Sequence, residues 1–153
     1  MIEYDDIIND SPFIVNHLIT LGKTHDFYMN KHIKNGTDIL PSQYYMLLFL
    51  YYDMGTNQSD IAKACLMDRS GVSRAFKDFE EKGLIIREVD ESNKRAYKIT
   101  LTKKGIETAE FLIQKEKEWD EMICKELDIS HEDLLKLLSK VSMKSLLFNR
   151  EKF

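Results

Sequence analysis

The sequence predicts a mainly α-helical chain with one small β-hairpin, and three observations carry that prediction. Apolar residues recur at helical spacing over most of the length. The period turns extended only between Leu84 and Leu101. Only 2 prolines and 6 glycines are present, too few for a turn-rich all-β fold. With 153 residues, 43% of them hydrophobic and 31% charged, the chain matches one compact domain able to bury its own core. The longest apolar run, Tyr44 to Tyr52, is about half of what a membrane span requires. The acidic opening (Glu3, Asp5, Asp6) lacks the basic segment of a signal peptide. The expectation is a cytoplasmic protein with no membrane partner.

Taken in order, Ser11-Pro12 reads as an N-cap followed by proline at the first helical position. Ile14, Leu18, Leu21, His25, Tyr28 and His32 then form one stripe of a long amphipathic helix, ended by Asn35-Gly36. Pro41 opens a second helix, Ser42 to about Asp53, apolar nearly all round and therefore central, and Gly55 closes it. Two short helices with a tight turn follow. Asn57 caps the first, with Asp60 as the acidic half of a capping box and Ile61, Ala62 and Cys65 as the inner face. Leu66-Met67 makes the turn, and Asp68 caps the second, whose Val72, Phe76 and Phe79 share a face. Gly83 stands just past its end.

Leu84–Val89 and Ala96–Leu101 are β-prone runs, and the polar stretch Asp90 to Arg95 between them reads as an exposed tip. Thr102 caps a further helix with Ile106, Ala109, Leu112, Ile113, Trp119 and Ile123 as its buried positions. Ser130 with Asp133 starts the last helix, which carries Leu134, Leu138 and Val141.

The net charge of −4 by itself disfavours nucleic acid, but the distribution does not. Asp60 to Lys104 holds 11 Lys+Arg and 8 Asp+Glu, a local +3, which leaves −7 for the remainder. Helix, tight turn, helix and two-stranded hairpin, in that order, are the parts of a winged helix-turn-helix. Its second helix has the width of a DNA major groove, and the hairpin tip reaches the neighbouring minor groove.

Residues 56 to 105, TNQSDIAKACLMDRSGVSRAFKDFEEKGLIIREVDESNKRAYKITLTKKG, resemble the core of the multiple-antibiotic-resistance regulator (MarR) family. The matching pieces are QSDIA, the DRSGVSR opening of the recognition helix, FEEKGLI and the wing pattern ending in LTKKG. The preceding LPSQYYMLL is similar to that family's second helix. Two positions depart from the pattern: Asn93 stands where the family's wing carries aspartate, and Gly71 where threonine is common.

The resemblance implies residues 37–105 as a DNA-binding lobe, and residues 1–36 and 106–153 as a helical dimerisation region. It further implies a homodimer that binds a pseudo-palindromic operator in double-stranded DNA, most often as a repressor released by a small ligand. On that reading Arg69, Ser70, Ser73, Arg74 and Lys77 face DNA from the recognition helix. Gln58 and Ser59 offer a helix N-terminus to a phosphate, and Lys94 and Arg95 serve the wing. His25 and Tyr28 with Tyr44, Tyr45 and Phe49 have two readings. One is a hydrophobic core with hydroxyls at its rim; the other is an effector pocket for phenolic or amphipathic compounds, as the family suggests.

Nothing resembles a nucleophile-base pair, a phosphate loop or paired catalytic carboxylates, so no enzyme and no cofactor is expected. Cys65 takes a core slot, Cys124 lacks an activating basic environment, and His17, His25, His32 and His131 make no tetrahedral metal set. The rival function is a protein-interaction module that keeps the winged helix without reading DNA. The basic recognition face and wing tip count against it.

Overall fold

The computed structural model describes residues 11–52, 58–65, 67–89, 97–125 and 127–152. Its elements are α1 (Ile14–Gly36), a 3₁₀ turn (Pro41–Gln43), α2 (Tyr44–Tyr52), α3 (Gln58–Ala64), α4 (Arg69–Glu81), β1 (Ile85–Val89), β2 (Tyr97–Leu101), α5 (Lys103–Cys124) and α6 (His131–Lys152). Two compact units divide at Lys115 and Glu116, within α5. Among the described residues, no helix is long and apolar enough to cross a membrane.

In the first unit one core collects Met29 and Ile33 from α1, Tyr44, Met46, Leu47 and Leu50 from α2, and Ile61 and Ala62 from α3. Ile39 before the 3₁₀ turn, Val72, Ala75, Phe76 and Phe79 of α4, Leu84 and then Ile85, Ile99 and Leu101 of the hairpin, and Ala109 and Leu112 of α5 complete it. Only the later part of α1 joins this core. Ile14, Leu18 and Leu21 of the expected stripe are exposed, His25, Tyr28 and His32 are half-buried, and Met29 and Ile33 beside them are the buried positions.

The start of α1 also differs from expectation. Phe13 is the N-cap residue, and Ser11 and Pro12 precede the helix. The Ser11 hydroxyl accepts from the Asn16 side chain at 2.8 Å rather than capping the helix at Pro12. At the other end Thr37 donates both its backbone N–H and its hydroxyl to the Ile33 carbonyl. A Cβ at Gly36 would fall 2.5 Å from the Phe111 ring, so glycine permits the close approach of α5 there. The expected second helix is split into the 3₁₀ turn and α2, because proline at its first position favours a tight entry. Gly55, Asn57 and Leu66 lie outside the described residues.

β1 and β2 pair antiparallel with Ile85 opposite Leu101, Arg87 opposite Ile99 and Val89 opposite Tyr97. Strand alternation buries Ile85, Ile99 and Leu101 and leaves Ile86 exposed. Thr102 caps α5 by accepting the Gly105 N–H at 3.0 Å. A Cβ at Gly105 would run into the Leu84 carbonyl oxygen, which explains glycine at the end of LTKKG. On α5, Ala109, Leu112 and Trp119 are buried, and Ile106, Ile113 and Ile123 are half-buried.

In the second unit, Ser130 and Asp133 cap α6 reciprocally: the Asp133 N–H donates to the Ser130 hydroxyl, which donates to the Asp133 carboxylate. His131 and Asp120 meet at 3.0 Å. Leu134 and Leu138 are half-buried, while Val141 is exposed.

Candidate nucleic-acid interface

The recognition-helix candidate α4 is amphipathic in the simplest way. Val72, Ala75, Phe76 and Phe79 point into the core, and Arg69, Ser70, Ser73, Arg74 and Lys77 are all exposed. Asp68 starts it: its carboxylate accepts the Gly71 N–H at 2.7 Å and the Ser70 hydroxyl at 2.6 Å. The Ser70 and Gly71 hydrogen bonds, with the Arg74 charge behind them, hold the Asp68 carboxyl below its ordinary value. The Ser70 proton is thus engaged, and a phosphate contact from Ser70 requires that hydroxyl to turn. Arg69 and Arg74 both expose their side chains, and the Arg74 charge also acts on the Asp68 carboxylate. Lys77 faces Glu81 at 3.7 Å, an exposed pair that water weakens and a phosphate can replace.

The far end of α4 is tied down by Gly83 and Thr102, both expected from the sequence as helix-end residues, and by Gln43, Lys82, Lys104 and Asp38, to which the sequence reading gave no role. Gly83, at φ +68°, stands in the left-handed region that a helix C-terminus favours. Gly83 N–H donates to the Glu80 carbonyl and Leu84 N–H to the Phe79 carbonyl, a Schellman pair that consumes two orphan acceptors. The Thr102 hydroxyl donates to the Gly83 carbonyl at 2.7 Å, and the Thr102 N–H donates to the Leu84 carbonyl. Lys104 donates to the Lys82 carbonyl at 3.0 Å and pairs with Asp38 at 2.9 Å. Gln43, 5% exposed, donates to the Asp78 carboxylate at 2.7 Å and accepts the Leu40 N–H at 2.8 Å. Lys82 pairs with the same Asp78 oxygen at 2.6 Å. The signal for Gln43 was a long amide side chain, beside Ser42, at the head of the apolar LPSQYYMLL run.

Of the wing, Asn93, Lys94 and Arg95 lie outside the described residues. Arg87, on β1, has a structural occupation instead: it faces Glu80 of α4 at 3.6 Å and stacks over Tyr97 at 4.9 Å. Gln58 and Ser59 form the first turn of α3, and their side chains lie outside the described set.

The aromatic residues named from the sequence meet in part. His25 and Tyr44 lie 6.4 Å apart by ring centroids, and Tyr44 and Tyr45 4.4 Å. Tyr28 packs instead on His32 at 4.5 Å, and Phe49 is half-buried against the core. Tyr44 is buried while most of Tyr45 is exposed; partial desolvation of its hydroxyl, then the Asp26 carboxylate, raise the Tyr45 phenol above its ordinary value. Both cysteines are free thiols, and burial pushes the Cys65 thiol up, away from reactivity.

Helix, tight turn, core-anchored helix and antiparallel hairpin in one unit define a winged helix-turn-helix protein. Residues 37–96 match the MarR family. A stretch of 92 residues, 60% of the chain, is 30% identical to the uncharacterized HTH-type transcriptional regulator YybA of Bacillus subtilis strain 168. The fold is similar to a MarR transcriptional regulator from Methanosarcina mazei Go1, with a TM-score of 0.79 at 24% identity over 90% of this chain and 99% of that one. It is also similar to Staphylococcus aureus MepR in a complex with DNA, with a TM-score of 0.71 at 26% identity over 88% and 99%. The chain spans less than two thirds of the curated relatives it matches, 42% of one and 61% of the other. The match to the MarR family is thus carried by residues 37–96, and the fold is similar to that of solved MarR regulators.

Proposed function

We propose that the chain is a homodimeric transcriptional regulator that binds a pseudo-palindromic operator in double-stranded DNA, acts as a repressor, and is released by a small aromatic or amphipathic ligand. The observation that carries this reading is the exposed face of α4, where Arg69, Arg74 and Lys77 accompany Ser70 and Ser73 opposite the buried apolar face. Guanidinium groups at that place suit guanine edges and phosphates alike. Lys94 and Arg95 are assigned to the minor groove. The similarity to MepR, a protein solved with DNA, supports the same use of the fold.

Residues 37–105 act as the DNA-binding lobe, and residues 1–36 and 106–153 supply the dimer contacts. Ile14, Val15, Leu18 and Ile19 on α1 are exposed apolar residues, as are Leu135, Leu137, Met143, Leu146 and Leu147 on α6. Exposed apolar surface of this extent favours a partner, and a second copy would set two recognition helices about 34 Å apart, one DNA turn. The effector contacts are assigned to His25, Tyr28, Tyr44, Tyr45 and Phe49, where phenol and imidazole edges meet apolar surface.

Two measurements test the proposal. Sedimentation at micromolar concentration should give a dimer, and a stable monomer would remove the paired-helix geometry. A mobility shift on the intergenic duplex beside the gene should exceed that on a scrambled duplex. Equal affinity for both would favour a protein-interaction role.

A further inference from the structure

We infer that Gln43 is a positioning residue for DNA recognition, fixing how α4 is set against its lobe through the Asp78 carboxylate. This rests on the DNA-binding reading above and extends it to a residue that cannot itself touch DNA. Gln43 is 5% exposed, and every group on its amide has work to do. Its carbonyl oxygen accepts the Leu40 N–H at 2.8 Å, and its NH₂ donates to Asp78 at 2.7 Å, so the amide orientation is fixed by its partners.

The link closes on itself. Asp78 takes Lys82, the Lys82 carbonyl takes Lys104, and Lys104 takes Asp38, two residues before Leu40. The segment 38–43, the last turn of α4 and the start of α5 therefore form one polar ring. Asp78 sits on α4 one turn after Arg74 and beside Lys77, at the border between the buried and the exposed face.

The reason for such a ring lies in what apolar packing cannot do. Val72, Ala75, Phe76 and Phe79 hold α4 in place, but hydrophobic attraction has no direction and tolerates small rotations about the helix axis. A charge-assisted hydrogen bond from a buried amide does have direction. Base-edge contacts need that precision, whereas phosphate attraction acts over longer range and survives a small rotation. Loss of Gln43 should therefore lower selectivity about tenfold while sparing general affinity. A residue that merely holds the fold together would affect both alike.

The test uses the full chain and two duplexes: the one that wild type enriches from a randomised library, and a scrambled duplex of the same composition. Variants are compared well below their melting temperatures. Gln43→Leu should bind the enriched duplex about tenfold more weakly, with scrambled affinity unchanged within about twofold. The pair Gln43→Glu with Asp78→Asn reverses the hydrogen bond, keeps the net charge and should regain selectivity that Gln43→Glu alone loses. A folded Gln43→Leu that keeps its selectivity, or weakens equally on both duplexes, overturns the inference. If Gln43→Leu does not fold, the Glu variants decide: regained selectivity in the pair supports the inference, and a pair no better than the single variant overturns it. A wild type that enriches no duplex refutes the DNA-binding reading itself, and this inference with it.

Discussion

Thr102 joins three parts of the lobe, which makes Thr102→Val an informative perturbation. Valine keeps the shape and removes only the hydroxyl. That hydroxyl accepts the Gly105 N–H at 3.0 Å, capping α5, and donates to the Gly83 carbonyl at 2.7 Å, closing the turn after α4. The two losses are unequal. Gly105 is buried, so its N–H is left without water, at a cost of about 1–2 kcal/mol for a lost cap. Gly83 is exposed, so water replaces the donor there and the loss stays below about 1 kcal/mol. Together these give about 2 kcal/mol, or roughly 4–8 °C in Tm for a chain of this size. Thermal and urea melts followed by circular dichroism measure it, with Thr102→Ser as the control that keeps the hydroxyl. A Thr102→Val protein within about 0.5 kcal/mol of wild type would refute the idea that this side chain ties the turn and α5 together.

Gly71→Ala should stabilise the chain by about 0.5–1 kcal/mol, read from the same melts, because a new Cβ meets Met67 at 3.4 Å and the Asp68 carboxylate at 3.6 and 3.7 Å, all ordinary contact distances. Arg74→Ala should lower the salt slope of DNA binding by roughly 0.9 per protomer, about 1.8 for a dimer, measured as log Kd against log salt. Asp78→Asn carries a pH signature. The Lys82 pair first, then the Gln43 hydrogen bond, lower the Asp78 carboxyl from its ordinary 3.8. A lowered carboxylate stabilises the fold above the unfolded value and loses that contribution as pH falls through the folded one. Asp78→Asn should therefore melt below wild type at neutral pH, and the gap should close as pH drops below about 3.9. A gap independent of pH would remove the charge from the explanation.

What the sequence made legible was local. Asp68, Gly83 and Thr102 announce helix ends because capping depends on residues within a turn or two, and all three do so in the structure. The alternation in Leu84–Val89 and Ala96–Leu101 found both strands to within a residue. The face of α4 that carries Arg69, Arg74 and Lys77 followed from the spacing of Val72, Phe76 and Phe79. The contact between Gln43 and Asp78 was hidden, since it spans 35 positions and depends on how two helices cross. The same holds for Lys104 and Asp38, 66 positions apart. The first half of α1 misled for another reason. Its apolar stripe is real, but within a single chain Ile14, Leu18 and Leu21 remain exposed, so periodicity marked a face without saying what covers it.

The central claim is that the exposed face of α4 reads DNA. The most direct measurement is a salt-titrated binding isotherm on the intergenic duplex beside the gene, run for wild type and for Arg69→Ala/Arg74→Ala, with a scrambled duplex as reference. The account predicts that wild type prefers the intergenic duplex by about a thousandfold or more, and that the double variant loses both preference and salt slope. A wild type that binds both duplexes equally, or a double variant that binds as wild type does, would contradict it.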